Sequence, residues 1–260
     1  MLHHEISGNG KKPLVLLHGF MENTTIWNEM EAHLSKDFTL IKIDLPGHGK
    51  SKVYQEIHTV ELMAEKVKEV IDALKLEKIN LLGHSLGGYV SLAFAEKFPE
   101  ILESMTLFFS TTVADDEEKK AIRRRSIAVI DENFETFVKT SIPNLFSNNE
   151  KDILEGKIEL AKNIAKSTNK EGVKAAQLGM AERPDRTEIL ENLDAKILII
   201  AGKYDNAVKT ENLLKTIPEK TNIKTYFLDC GHNGHWEKPT ICAEIINTEL
   251  FHNLPKHFLL

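Results

Sequence analysis

Short apolar runs punctuate the chain at residues 14–17, 40–43, 79–82, 105–109, 197–201 and 226–228, and most of them end in Gly, Asp, His or Ser. Runs this short, bounded by turn formers, read as buried strands. Between them, apolar residues recur at helical period: Trp27, Met30 and Leu34; Met63, Val67, Val70, Ile71 and Leu74; Val90, Ala93 and Phe94 ahead of Pro99. Strands that alternate with helices pair in parallel through right-handed crossovers, and the helices cover both faces of the sheet. The expected fold class is therefore α/β, a mostly parallel central sheet with functional groups at the carboxyl ends of its strands.

One stretch breaks this rhythm. From Thr111 to Leu193 there is no strand-like run, only helical patterns such as Ile153, Leu154, Ile158, Ala161 and Ile164, then Val173, Ala176 and Met180. The expected organisation is a core built from residues 1–110 and 194–260, interrupted by a helical module over 111–193. Residues 111–190 hold 14 Lys and Arg against 15 Asp and Glu, so Arg123-Arg124-Arg125 reads as the solvated face of a mixed-charge helix. The alternative for that run is contact with an acidic partner.

The 260 residues suffice for one large core and give a prior of one to two domains. With 42% hydrophobic and 28% charged residues, disorder and fibrous classes are excluded. A net charge of -6 and a pI near 6.0 argue against nucleic-acid binding, which calls for a basic face. Two cysteines, Cys230 and Cys242, are too few for a disulfide scaffold and fit a reducing compartment. The N-terminus lacks the basic and apolar regions of a signal peptide, and no apolar run approaches the ~18 residues that span a bilayer. The expectation is a soluble, cytoplasmic protein with no membrane partner.

Chemistry concentrates at Gly83-His84-Ser85-Leu86-Gly87-Gly88, a G-x-S-x-G lying between the run at 79–82 and the helix through Ala93. A serine on a tight strand-to-helix turn needs residues without a Cβ two places before and after it, which Gly83 and Gly87 supply. The turn lifts the Ser85 hydroxyl clear of the sheet and aims the Leu86 backbone N–H where an oxyanion would develop.

Two further segments accompany it: His18-Gly19-Phe20-Met21 after the first strong run, and Asp44-Leu45-Pro46-Gly47-His48-Gly49-Lys50-Ser51 after the second. With these, the chain resembles the α/β-hydrolase superfamily over nearly its whole length. The resemblance implies a second oxyanion donor at the Phe20 N–H, with Gly19 allowing close approach and His18 buttressing the loop. A phosphate-loop reading of Gly49-Lys50-Ser51 fails, because its spacing requires glycine where the chain has Asp44. The order nucleophile, acid, histidine puts the acid after the run at 197–201, at Asp205. The segment Gly231-His232-Asn233-Gly234-His235-Trp236-Glu237-Lys238-Pro239 resembles the family's pattern before its final helix and implies His232 as base.

Rivals for these roles are His235 as base, Asp229 as acid, and a His232-x-x-His235 metal pair. The last lacks the helical i, i+4 spacing and intervening glutamate of a zinc motif. Cys230 reads as a small buried hydrophobe. His3, His4, His33, His48, His58, His252 and His257 show no ligand spacing and read as ordinary polar residues.

The resemblance implies acyl transfer from a small ester or lactone to water, with no metal or organic cofactor, by a monomer or homodimer. Serine at position 85 excludes the dehalogenase and epoxide-hydrolase branches, which use aspartate there. Carbon–carbon bond hydrolases, enol-lactonases, perhydrolases and a lyase share the layout; the first often carry Asn where this chain has His84, and the lyase carries Arg where it has Tyr89. A ligand-sensing signalling protein that keeps the same residues is the alternative from another class. The insert corresponds in place to the family's helical lid. Phe134, Phe137, Val138, Leu145 and Phe146 are candidates for a mostly apolar acyl pocket or, alternatively, for the lid's own core.

Overall fold

The structure is a computed structural model that describes residues 1–34 and 36–251; His252 and His257 lie outside the described residues. Seven strands, β1 (His4–Ser7), β2 (Lys12–Leu17), β3 (Phe38–Ile43), β4 (Ile79–His84), β5 (Leu102–Phe108), β6 (Lys196–Gly202) and β7 (Ile223–Leu228), form one sheet in the order β1-β3-β2-β4-β5-β6-β7. Every pairing is parallel except β1 with β3. The sequence contains no apolar run for β1 because His4-Glu5-Ile6-Ser7 is an edge strand with Ile6 53% exposed. An edge strand needs no second buried face.

The α-helices are α1 (Asn28–Leu34), α2 (Val60–Ala73), α3 (Leu86–Lys97), α4 (Glu117–Ser141), α5 (Glu155–Ser167), α6 (Lys170–Glu182), α7 (Glu188–Asn192), α8 (Thr210–Leu214), α9 (Gly234–Glu237) and α10 (Pro239–Ile246). Alternation along β2 splits the core: Val15 and Leu17 join α2 and α3 on one face, whereas Leu14 and Leu16 join α1 and α10 on the other. Burial of both faces explains why the central strands are nearly uniformly apolar. Helix α2 starts where the Thr59 hydroxyl accepts the Leu62 N–H at 3.1 Å, and it turns Val60, Met63, Val67, Val70 and Ile71 inward. No helix among the described residues is long and apolar enough to cross a membrane.

Between β5 and β6 the described residues form α4 to α7 and no strand, as the sequence pattern requires. Helix α4 is two helices in one: Asn133 leaves helical geometry at φ -155°, ψ 84°, and its side chain accepts the Thr136 N–H at 2.9 Å to cap the second half. Three readings from the sequence need correction here. Ile153 is 84% exposed just before α5, because the buried face of that helix begins only at Leu154 and Ile158. Arg124 and Arg125 face solvent, but the Arg123 side chain is only 20% exposed, drawn inward by an ion pair with Asp115. His48 and His58 are buried, and His58 knits the turn after β3 by accepting the Tyr54 N–H at 3.1 Å.

Phe94, fully buried between α3 and its neighbours, and Ile153, in solvent, make a matched test of this packing. Phe94→Ala is expected to cost about 3–5 kcal/mol in urea denaturation. Ile153→Ala should stay within about 0.5 kcal/mol.

Candidate active site

Ser85 caps the N-terminus of α3 with φ 48° and ψ -110°, in a region that a residue with a Cβ adopts only under strain. The surroundings enforce it: a Cβ on Gly83 would lie 2.1 Å from the Gly87 carbonyl oxygen, and one on Gly87 would lie 2.4 Å from that of Leu17. The Ser85 N–H donates to the Phe108 carbonyl at 3.0 Å, and the Ser110 hydroxyl donates to the Ser85 carbonyl at 2.8 Å. With its backbone pinned on both sides, the serine presents its hydroxyl to a cavity of about 390 Å³.

The structure brings together the three residues singled out from different ends of the sequence. Ser85 Oγ lies 2.8 Å from His232 Nε2, and His232 Nδ1 lies 2.7 Å from Asp205 Oδ2. The other Asp205 oxygen accepts the backbone N–H groups of Ala207 at 2.7 Å and Val208 at 2.9 Å, which fixes the carboxylate plane. An ionised carboxylate only accepts, so Nδ1 of His232 carries the proton and Nε2 is left to accept from the serine hydroxyl. Burial works against a charged ring, but the adjacent Asp205 carboxylate outweighs it and holds His232 above the usual imidazole range.

The rivals lie elsewhere. Asp229 is an exposed carboxylate paired with Lys203 at 3.0 Å. His235 is buried with no hydrogen-bond partner on either ring nitrogen, its ring 4.6 Å from that of His84, and burial keeps it well below its ordinary pKa. Cys230 is buried and its thiol is pushed up by burial, so it offers no thiolate.

Leu86 is the first residue of α3, so its N–H has no intrahelical acceptor. Phe20, after β2, lines the same cavity as Ser85 and His232. His18 braces this loop: its Nε2 accepts the Leu45 N–H at 2.9 Å, which leaves Nδ1 to donate to the Gly19 carbonyl at 2.7 Å. In the turn after β3, Asp44 accepts the backbone N–H groups of Thr24 and Lys50, each at 2.9 Å. The residues that resembled a phosphate loop thus close on a carboxylate.

Sequence reasoning missed a buried pair behind these groups. Glu22 Oε2 accepts the Gly19 N–H at 2.6 Å and lies 2.8 Å from His84 Nδ1, while His84 Nε2 lies 3.0 Å from the His232 carbonyl oxygen. Both neighbours of the His84 ring are oxygen acceptors, one on each ring nitrogen. Burial pushes the Glu22 carboxyl up, but His84 beside it prevails and holds it down at about 2. One buried hydrogen-bonded pair therefore ties the Phe20 loop to the backbone of His232. No spacing rule marks Glu22, because its partner is sixty-two positions away.

Glu237 performs a similar task, accepting the N–H groups of Gly231 at 2.9 Å, Ser147 at 3.1 Å and Asn233 at 3.2 Å. Among the described residues, Glu22, His84 and His235 form a buried group whose ligand atoms lie within 4.8 Å of one another. Glu22 and His84 of this group are already hydrogen-bonded to each other at 2.8 Å. The candidate pocket residues divide: Phe137 and Leu145 line the cavity, Val138 and Phe146 are buried in the core, and Phe134 packs on its margin. The cavity surface is mostly apolar, as expected, with polar side chains that include Lys119, Arg123, Ser126, Ser141, Gln177 and Asn206 among its lining.

The chain belongs to the alpha/beta hydrolase fold family, whose model matches residues 12–239. It is similar to a thermophilic esterase from Thermogutta terrifontis, solved with malate bound, at 33% identity and a TM-score of 0.89 over 95% of this chain and 91% of that one. It is 27% identical over 249 residues to the 2-hydroxy-6-oxononadienedioate/2-hydroxy-6-oxononatrienedioate hydrolase of Escherichia coli, covering 91% of this chain and 86% of that protein. An uncharacterised protein of Mycobacterium tuberculosis is 35% identical over 111 residues, 43% of this chain and only 32% of that relative's length.

The Glu22–His84 pair generates a stability test. Breaking a buried pair by neutralising one partner costs about 3–5 kcal/mol, so Glu22→Gln should lower the urea midpoint sharply at pH 7. Because the folded carboxyl is held at about 2 against an ordinary 4.5, its stabilisation is complete above 4.5 and is lost as pH falls towards 2. The gap between wild type and variant should therefore narrow at pH 3.

Proposed function

We propose that this protein is a serine hydrolase that cleaves a small ester or lactone through an acyl-enzyme. The observation that carries the reading is the hydrogen-bonded chain Ser85–His232–Asp205, at 2.8 Å and 2.7 Å, opening into a cavity. A hydroxyl is a weak nucleophile until a neighbouring base takes its proton. His232 removes the Ser85 proton as Oγ attacks the carbonyl, and Asp205 keeps the ring in the tautomer that allows this and stabilises the imidazolium. The Phe20 and Leu86 amides bind the developing oxyanion, held in place beforehand by the His18 brace and the helix turn. His232 then protonates the leaving group, and water resolves the acyl-enzyme by the same proton transfers in reverse.

In this reading α4 to α7 act as a lid. They supply the far wall of the cavity through residues such as Phe137 and Met180, so acyl-group preference resides there. A cavity of about 390 Å³ suits a small substrate rather than a long-chain lipid.

Hydrolysis of p-nitrophenyl esters from acetate to laurate by wild type and Ser85→Ala tests the chemistry, with fluorophosphonate labelling of Ser85 as a second readout. Turnover should favour short acyl chains and vanish in the alanine variant. Activity no greater than that of Ser85→Ala on every ester would instead favour carbon–carbon bond hydrolysis, lyase chemistry or ligand sensing. Asp205→Asn should fold normally and lose about four orders of magnitude in kcat.

The base must be neutral to act, and His232 is held above 6.5, so kcat/KM should fall as pH drops through a value above 6.5. Removing the Asp205 charge should move that acid limb to lower pH. An unmoved limb would assign the titration to another group.

A further inference from the structure

The first half of α4 turns Lys119, Ile122, Arg123 and Ser126, one helical face, towards the cavity that Ser85 and His232 line from the opposite side. Both charged side chains on this face, Lys119 and Arg123, are cationic. Asp115 pairs with Arg123 through Nε and with Arg183 at 2.9 Å, and Asp185 adds negative charge beside Arg183. Arg183 is otherwise committed: it stacks 3.9 Å over the Tyr89 ring and donates to the carbonyls of Met180 at 2.8 Å and Val113 at 3.0 Å.

Arg123 uses its Nε on Asp115 and one terminal nitrogen on Gln177 Oε1 at 3.0 Å and on the Met180 sulfur at 3.4 Å. Its other terminal nitrogen has no acceptor among the described residues. Lys119 reaches only the Ala207 carbonyl, at 3.5 Å, and has no carboxylate partner among the described residues. The one acidic residue in the cavity lining, Glu22, is already paired with His84. A guanidinium held rigidly by a buried acid, with one donor nitrogen left over and an ammonium one turn away, is the arrangement that recognises a carboxylate.

We propose that the cavity selects substrates bearing an anionic carboxylate remote from the scissile carbonyl, received by Arg123 and Lys119. This rests on the serine-hydrolase reading and names its substrate class: half-esters of dicarboxylic acids, or lactones carrying a carboxylate. Fixing the anion on α4 orients the acyl chain across the cavity towards Ser85, so charge recognition and positioning are one event.

The test compares mono-p-nitrophenyl glutarate and adipate with the neutral p-nitrophenyl pentanoate and hexanoate. Wild type should favour the anionic member of each pair by about tenfold or more in kcat/KM, mostly through KM, and the preference should shrink as ionic strength rises. Arg123→Gln should collapse that ratio towards one, and Arg123→Lys should restore part of it. Lys119→Gln breaks no ion pair and should reduce the ratio on its own, which keeps the proposal testable if Arg123→Gln fails to fold. A wild-type preference for the neutral esters, or variants that slow both members of a pair equally, would overturn the assignment while leaving the serine chemistry intact. If no ester is turned over, calorimetric titration of Ser85→Ala with glutarate and with dimethyl glutarate decides. Glutarate binding that is lost in the Arg123→Gln double variant supports the anion site even though the hydrolase reading has failed, and no preference for glutarate overturns it.

Discussion

The approach of α3 to the end of β4 is the constraint on which the site depends. Gly83 and Gly87 bring backbone within reach of backbone, so that any Cβ there would meet a carbonyl oxygen at 2.1 to 2.4 Å. Ser85 lies in the turn between them at φ 48°, and hydrogen bonds to Phe108 and Ser110 fix both sides of its peptide unit. Strain of order 1–3 kcal/mol at such a residue persists only when the surroundings overdetermine it. Here they comprise the parallel ladder of β2, β4 and β5 and the buried face of α3.

Around that turn, buried polar groups are arranged in closed pairs rather than left to solvent. Asp205 is satisfied by two backbone amides and His232, Glu22 by Gly19 and His84, and Glu237 by three backbone amides. Each carboxylate fixes a loop that carries part of the site, so the electrostatic groups and the loop conformations stabilise one another. His235 differs: both its nitrogens lack hydrogen-bond partners, and its ring instead packs against His84 and Trp236 as a neutral aromatic. His232, three residues earlier, has the carboxylate hydrogen bond that His235 lacks.

Much of this was legible beforehand, for local physical reasons. Ser85, Gly83, Gly87 and Leu86 share one turn, and Asp205 and His232 each follow the carboxyl end of an apolar run, where α/β sheets gather functional groups. The brace at His18 came from the resemblance to the family's loop, and its hydrogen bonds to Leu45 and Gly19 are local to that loop and the next. Glu22, by contrast, carries no signal, since an acid three residues beyond Gly19 becomes meaningful only when β4 brings His84 beside it. Arg123 misled for the same reason: within a run of three arginines in a mixed-charge helix, nothing local separates the one that turns inward to Asp115 from the two that face solvent.

The sequence by itself determined the alternation of strands and helices and the tight turn with its serine, which follow from period and turn chemistry. Its resemblance to the α/β hydrolases, with order along the chain, singled out Asp205 and His232. Tertiary structure alone decided which buried charges pair, which residues of the inserted helices form its core and which line the cavity, and that Lys119 and Arg123 of α4 stand in the cavity wall. Those outcomes depend on contacts between residues tens to hundreds of positions apart. A side chain's burial and its electrostatic partners are properties of the space it enters, and that space exists only after the sheet and the inserted helices have packed.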